Sequence, residues 1–169
     1  ERMEGIGVTD TLKQVVICGD GNINKFYDVA ANMMGDTIQS IQIAPNGVVT
    51  EIYPKEGNES GKIDLINDSD RGEISRYARD NDTVIMQGPF ELKQGGYGIA
   101  VRNPVYLEDE NGKKSFWGFT IVILKVPEIF SDSVEALSNF GYKYSMQKCA
   151  SPWDNMYEWV YGSKKELNN

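Results

Sequence analysis

The sequence predicts a mixed α/β fold in which N-terminal helices precede a five-stranded antiparallel sheet. Three observations support this: helical spacing of apolar residues before residue 36, an Asn46-Gly47 dipeptide between two apolar runs, and three strand-like runs between residues 83 and 126. A chain of 169 residues is long enough for one domain with a substantial core. The longest uncharged apolar run, Phe119 to Leu124, is much shorter than the roughly 20 residues of a membrane-spanning helix.

The first 36 residues are predicted to form two helices. Thr9 can cap the first helix, which we expect to end at Cys18, before Gly19. Gly35 is the expected stop of the second helix. The apolar positions are Leu12, Val15 and Val16 in the first helix and Ile23, Phe26, Ala30, Met33 and Met34 in the second.

The sheet is predicted to begin with a hairpin. Asn46-Gly47 favours the positive φ angles of a type I′ turn, which would join strands over residues 37–45 and 48–54. A polar loop over residues 55–69 follows.

A helix is expected after this loop, and three strands after the helix. Asp70 and Glu73 match a capping box for the helix. Its expected inner face consists of Ile74, Tyr77 and Ala78, and the strands are expected at Thr83 to Leu92, Tyr97 to Leu107 and Phe116 to Val126. The last strand is apolar on both faces, as a central strand should be.

Composition excludes several classes of function. The chain has no histidine, which excludes Ser-His and Cys-His nucleophiles, histidine zinc sites and imidazole acid–base chemistry. Its net charge of −8 makes nucleic acid and anionic membrane surfaces unfavourable partners. We therefore expect no enzyme, no metal and no cofactor. Cys18 and Cys149 either form a disulfide, as would suit an exported protein, or remain free thiols.

Several separated segments follow one known family pattern. Gln42 to Pro54 holds an apolar strand, a Pro-x-Gly turn and a strand that closes on Tyr-Pro. Gly61 to Leu65 reads Gly-x-x-Asp-Leu, and Gly88 to Tyr106 holds two strand-like runs around a glycine-rich turn, followed by Phe116-Trp117-Gly118-Phe119. Together these segments resemble the CHASE family, the extracellular sensor domains of bacterial and plant membrane-bound histidine kinases and cyclases. The resemblance covers about residues 23–127.

The resemblance implies a PAS-like sensor core over residues 37–126, between N-terminal helices over 1–36 and a partial second, membrane-proximal subdomain over 127–169. In this last part we expect a helix opened by Pro127, a strand from Tyr142 to Cys149 and an aromatic segment. The resemblance also implies a periplasmic or extracellular location. The parent receptor would signal through a histidine kinase of a two-component system or a diguanylate cyclase, and would reach the membrane through flanking segments. Weak or no dimerisation of this chain by itself is expected, with any homodimer interface formed by the segment Thr9 to Cys18.

A PAS-like sheet binds small molecules between its concave face and the elements that cover it. In the plant cytokinin-binding branch, an aspartate that matches Asp64 contacts an adenine-type ligand, and Leu92 and Arg102 match two other pocket positions. An arginine would crowd an adenine but suits a carboxylate or phosphate, so we expect an amino acid or organic acid rather than a purine. The other expected ligand-binding residues are Gln87, Tyr97, Ile99 and Phe119.

Each polar candidate has a structural alternative. Asp64 could instead stabilise its own loop, and Arg102 could pair with a neighbouring acid. Strand alternation places Arg102 on the face opposite Tyr97 and Ile99. For the whole chain, two alternatives stay open: a soluble solute-binding or protein-interaction module without signalling output, and a carboxylate-dependent hydrolase.

Overall fold

A computed structural model describes residues 2–55, 63–126, 145–149 and 157–162. The helices are α1 (Arg2–Cys18), α2 (Phe26–Met33) and α3 (Gly72–Asn81). The strands are β1 (Ile38–Pro45), β2 (Val48–Val49), β3 (Glu51–Tyr53), β4 (Ile63–Asp64), β5 (Ile85–Glu91), β6 (Tyr97–Glu108), β7 (Lys114–Val126), β8 (Ser145–Cys149) and β9 (Tyr157–Gly162). The predicted helix after Pro127 lies outside the described residues.

The main sheet has five antiparallel strands in the order β3-β1-β7-β6-β5. Its two longest strands, β6 and β7, pair from Tyr97 opposite Val126 to Glu108 opposite Lys114. β7 lies at the centre and is buried on both faces over most of its length, as its apolar sequence predicts. The order of hairpin, helix and three further strands confirms the expected PAS-like fold with N-terminal helices. β8 and β9 form a separate two-stranded sheet.

The apolar side chains of the sheet separate into two clusters, one on each face. Helices α1 and α2 cover the first face, where Leu12 and Phe26 pack with Val101 and Val122. On the second face, which α3, β2 and the segment from β4 cover, the cluster contains Val49, Leu65, Ala78, Ala100, Phe119, Ile121 and Ile123. β6 and β7 contribute to both clusters, because successive side chains on each strand point to opposite faces of the sheet.

A buried polar cluster joins α1 to the middle of the sheet. Asn103 of β6 donates from Nδ2 to Oδ1 of Asp10 at 2.8 Å. Thr120, the cross-strand partner of Asn103, donates from Oγ1 to the carbonyl oxygen of Thr9 at 2.9 Å. Thr9 lies well inside the helix, and its hydroxyl donates to the Ile6 carbonyl oxygen. Its predicted N-cap role is therefore wrong, because α1 begins seven residues earlier than expected, at Arg2.

The predicted hairpin forms, but its second strand is interrupted. Asn46 and Gly47 have φ angles of +56° and +83°, as a type I′ turn requires. The chain then pairs with β4 through β2, and only from Glu51 does it pair with β1. The interruption follows from burial, because Val49 turns into the second apolar cluster beside Leu65.

The start of α3 differs from the predicted capping box. The helix begins at Gly72 without a side-chain cap, and Asp68 accepts the N–H groups of Asp70 and Arg71 at 2.9 Å each. The buried face consists of Gly72, Ser75 and Ala78, whereas Tyr77 is 37% exposed. These small residues let α3 approach the sheet closely, which leaves the bulky Tyr77 at the edge of the contact.

The surface of α1 limits the expected dimer interface. Leu12 is fully buried against the sheet, so an interface that uses this side chain is wrong, while dimerisation itself stays a prediction. Cys18 at the end of α1 is an exposed free thiol. Within the described ranges, no helix has both the length and the apolar character needed to cross a membrane.

A substitution at Gly118 tests how closely β1 and β7 approach each other. Gly118 has a φ of +151°, and a Cβ there would lie 2.1 Å from the Ala44 carbonyl oxygen. We expect Gly118→Ala to destabilise the fold by at least about 2 kcal/mol, because that backbone cannot retreat without breaking the strand pairing. Gly95→Ala is the matched control, since Gly95 also has a positive φ but has open space around it. Urea unfolding of both variants measures the difference, and equal losses would contradict the close approach.

Candidate ligand-binding site

A cavity of about 260 Å³ lies on the face of the sheet that α3 and the β2–β4 segments cover. Its apolar lining consists of Val49, Ile52, Ile63, Leu65, Phe90, Leu92, Ala100, Ile121 and Ile123. Its polar lining consists of Gln39, Gln42, Arg71, Glu91, Lys93, Gln94 and Arg102. An apolar surface combined with polar groups that can orient a ligand is typical of a small-molecule site.

Arg102 is a buried charge in this wall, with 4% of its surface exposed. Its cross-strand neighbours are Ile85 on β5 and Ile121 on β7, so apolar side chains flank it on both sides. Its Nη1 donates to Oε1 of Gln87 at 2.6 Å. Among the residues that the structure describes, the ion pairs join Arg71 with Asp68 and Arg79 with Asp80, and no carboxylate pairs with Arg102. The guanidinium thus keeps N–H donors for another acceptor.

The electrostatic environment disfavours the charge that Arg102 carries. Burial, with a smaller contribution from the nearby charge of Arg71, lowers the pKa of the guanidinium to about 10, and the charge of Asp68 acts in the opposite direction. Because this pKa is well above neutrality, the side chain remains charged at physiological pH. A buried cation without a counterion costs folding free energy, and a bound anion would offset that cost.

Arg71 brings a second guanidinium to the cavity. It immediately precedes α3, and its Nη1 lies 3.2 Å from Oδ1 of Asp68. The other oxygen of Asp68 accepts the N–H groups of Asp70 and Arg71, and Asp68 does not line the cavity. Asp68 is therefore already bound to the Arg71 guanidinium and to the backbone of the turn before α3. Both arginines make this end of the cavity positive.

Asp64 points away from the cavity, although its neighbours Ile63 and Leu65 line it. Its Oδ1 accepts the N–H groups of Ile66 and Asn67 at 3.2 and 3.3 Å, and its Oδ2 accepts Nδ2 of Asn67 at 2.7 Å. The bond from the Asn67 side chain is the main cause that lowers the pKa of this carboxyl. These contacts correspond to the loop-stabilising alternative. The expected placement of Asp64 beside Arg102 in one pocket is wrong, because alternation along β4 turns the carboxylate outward.

The other predicted site residues lie in different places. Leu92 lines the cavity. Gln87 is the cross-strand partner of the lining residue Ala100; it accepts from Arg102 and donates from Nε2 to the Asp70 carbonyl oxygen at 3.0 Å. Tyr97 and Ile99 belong to the opposite face, in the cluster that α1 and α2 cover. That side of the sheet is closed to a ligand in this cavity.

Phe119 lies on the cavity face but is fully buried. Its ring packs edge-on against Phe116 at a centroid distance of 5.2 Å and does not reach the lining. The sequence analysis missed Phe90 and Arg71. Phe90 shares the face of Leu92 by alternation, so the sequence held a signal for it. Arg71 lies at the end of a polar loop, and no periodicity there indicates its direction.

The CHASE domain family matches this chain over residues 28–148. Because the match covers well over half of the chain, the chain belongs to the CHASE domain family and is an extracellular sensor domain. No curated protein sequence matches it.

Among solved structures, the chain is similar to an extracellular ligand binding receptor from Desulfohalobium retbaense. The TM-score is 0.53 at 12% sequence identity, and the alignment covers 79% of this chain and 23% of that structure. At this identity the likeness concerns the fold alone. The chain thus spans about a quarter of the length of the receptor it matches.

We expect Arg102→Met to leave the unfolding free energy unchanged or to raise it by up to about 3 kcal/mol, since it replaces a buried unpaired charge with an apolar side chain of similar length. Asn103→Ala is the matched control at the next position. Asn103 is equally buried but hydrogen-bonded to α1, and its loss should cost about 1–2 kcal/mol. Urea unfolding without ligand compares the two. A loss above about 2 kcal/mol in Arg102→Met would show that the guanidinium has a structural role.

Proposed function

We propose that this chain is the ligand-sensing domain of a transmembrane receptor and that it binds a small carboxylate in the cavity beside Arg102. One observation carries the proposal: a guanidinium with 4% exposure lies on the wall of an apolar cavity, with an amide oxygen as its described acceptor. If this position were purely structural, an apolar residue or a paired charge would stabilise the core more than an unpaired guanidinium does.

The chemistry of the cavity supports an anionic ligand. A guanidinium presents its N–H donors in a planar fork that matches a carboxylate in two parallel hydrogen bonds. Gln87 holds Nη1 of Arg102, which restricts the orientation of the fork. Arg71 adds positive charge at the same end. An amino acid or a small organic acid therefore fits better than a neutral purine.

Binding rather than catalysis is proposed because the groups that hydrolysis needs do not converge. The chain contains no histidine, and Glu91 is the one carboxylate among the lining residues that the structure describes. Acid–base hydrolysis by carboxylates needs two of them on either side of the scissile bond. A receptor needs none, since its function is to bind and release its ligand unchanged.

Signal transmission is proposed to run from β6 to α1. Arg102 faces the cavity, and the next residue, Asn103, donates to Asp10 on α1. Because neighbouring strand residues point to opposite faces, a shift of β6 on ligand binding changes the contact with the helix. The ligand would then favour one of two packings of α1 on the sheet. We propose that flanking membrane segments pass this change to a histidine kinase or a diguanylate cyclase.

A binding screen tests the ligand class. We expect amino acids or organic acids, but not purines, to raise the melting temperature of the 169-residue chain. Arg102→Gln should weaken the best carboxylate at least about tenfold, because it removes a charge-assisted pair of hydrogen bonds. Asp64→Asn, measured by the same calorimetric titration, should change affinity less than about threefold. Purine binding that does not depend on Arg102 would refute the proposed ligand class.

Hydrogen–deuterium exchange tests the transmission route. We expect the carboxylate that emerges from the screen to change the exchange of α1 amides in the unaltered chain. Asp10→Ala should reduce this change, since it removes the nearer of the two acceptors of Asn103 on α1, the other being Oγ1 of Thr9 at 3.4 Å. Gln14→Ala, an exposed position on the same helix, should keep it. An identical response in Asp10→Ala would contradict transmission through this hydrogen bond.

The full-length reading frame tests the receptor assignment. We expect hydrophobic spans of about 20 residues around this segment and a kinase or cyclase domain after them. A reading frame without such spans would instead favour a solute-binding module without signalling output.

A further inference from the structure

We propose that the cavity selects carboxylates that lack an α-ammonium group, so that apolar aliphatic or aromatic carboxylic acids bind in preference to the corresponding α-amino acids. This inference rests on the proposed function, namely a carboxylate held at Arg102, and narrows it to one of the two ligand classes that the sequence leaves open.

The first argument is the sign of the charge at the binding end. Arg102 and Arg71 both line the cavity, and Arg102 feels the charge of Arg71 together with the opposite charge of Asp68, the ion-pair partner of Arg71. In an α-amino acid, the ammonium group is bonded to the carbon next to the carboxylate. When the carboxylate lies on Arg102, the ammonium is therefore held within a few ångströms of a like charge. Because Arg102 is only 4% exposed, water screens the repulsion between its guanidinium and the ammonium poorly.

The second argument is that the carboxylates and the Gln87 amide oxygen described near Arg102 already accept hydrogen bonds from other groups. An ammonium carries three N–H donors and needs acceptors for them. Oε1 of Gln87 already accepts from Arg102. The carboxylate of Asp68 is held by Arg71 and by two backbone N–H groups, and that of Asp64 points out of the cavity toward Ile66 and Asn67.

Glu91, the one carboxylate in the described lining, is too far from Arg102 to accept from such an ammonium group. Glu91 pairs with Tyr97, five residues before Arg102 on β6. At the usual rise of a β-strand, this separation is about 16 Å. Glu91 is also exposed at the end of β5, where water solvates it. It cannot contact an ammonium group on the carbon next to a carboxylate that Arg102 holds.

The third argument is the apolar surface of the cavity between Arg102 and Glu91. Ala100 lies two residues from Arg102 on the same face of β6, and Ile121, Ile123, Phe90 and Leu92 continue the lining. Their side chains offer no hydrogen bond. A hydrocarbon chain or an aromatic ring gains from contact with them, whereas a polar substituent would lose its hydration there.

Matched ligands test this inference on the 169-residue chain by calorimetric titration at neutral pH. Hydrocinnamate and L-phenylalanine differ by the α-ammonium group, as do isocaproate and L-leucine, and phenethylamine keeps the ammonium without the carboxylate. We expect each carboxylic acid to bind at least about tenfold more tightly than its amino acid, and phenethylamine not to bind. Arg71→Gln should reduce the ratio of the two affinities, acid over amino acid, because it removes one of the two cations of the lining. Arg76 lies outside the lining, so Arg76→Gln should leave this ratio unchanged.

The outcomes separate this inference from the proposed function. If L-phenylalanine or L-leucine binds as tightly as the matched acid, and Arg102→Gln abolishes that binding, the selectivity is refuted but the carboxylate site is supported. An unchanged ratio in Arg71→Gln would overturn its electrostatic cause. If neither acids nor amino acids bind at millimolar concentration, or if Arg102→Gln leaves their binding unchanged, the proposed carboxylate site fails and this inference fails with it.

Discussion

The burial of β6 on both faces is the constraint on which the rest of this domain depends. From Gly98 to Val105 the strand has no solvent-exposed residue, so every side chain must fit one of two layers. Ile99, Val101 and Asn103 face α1, whereas Ala100 and Arg102 face the cavity. The cavity and α1 thus lie on opposite sides of one strand. This arrangement gives a sensor a short path between them.

Two polar residues, Arg102 and Asn103, lie in the buried part of this strand, and they differ in their hydrogen-bond partners. Asn103 has hydrogen-bond partners on α1, as buried polar groups normally do. Arg102 has an amide acceptor and no carboxylate among the described residues, although its charge is buried. Folding therefore leaves a cation partly uncompensated at the wall of a cavity. Binding sites often hold such locally unfavourable groups, because the ligand completes their interactions.

Membership of the CHASE domain family establishes an extracellular sensor, but the family does not determine what this chain senses. The fold provides a sheet, a covering helix and a cavity, and the side chains within that cavity determine the ligand. Arg102 lies in the wall of that cavity, whereas Asp64 points outward and is bound to Ile66 and Asn67. These two positions are the basis of the proposed anionic ligand.

Local patterns in the sequence determined the order of the strands along the chain, the Asn46-Gly47 turn, and the face on which Arg102 lies. Such features depend on backbone dihedral preferences and on the two-residue period of a strand, which neighbouring residues suffice to specify. Only the tertiary structure decided that Arg71 enters the cavity, that Asp64 leaves it, and that Thr9 packs inside a helix on Thr120. These outcomes depend on how segments far apart in the chain meet, and no local pattern encodes the path of a polar loop or the depth at which a helix packs.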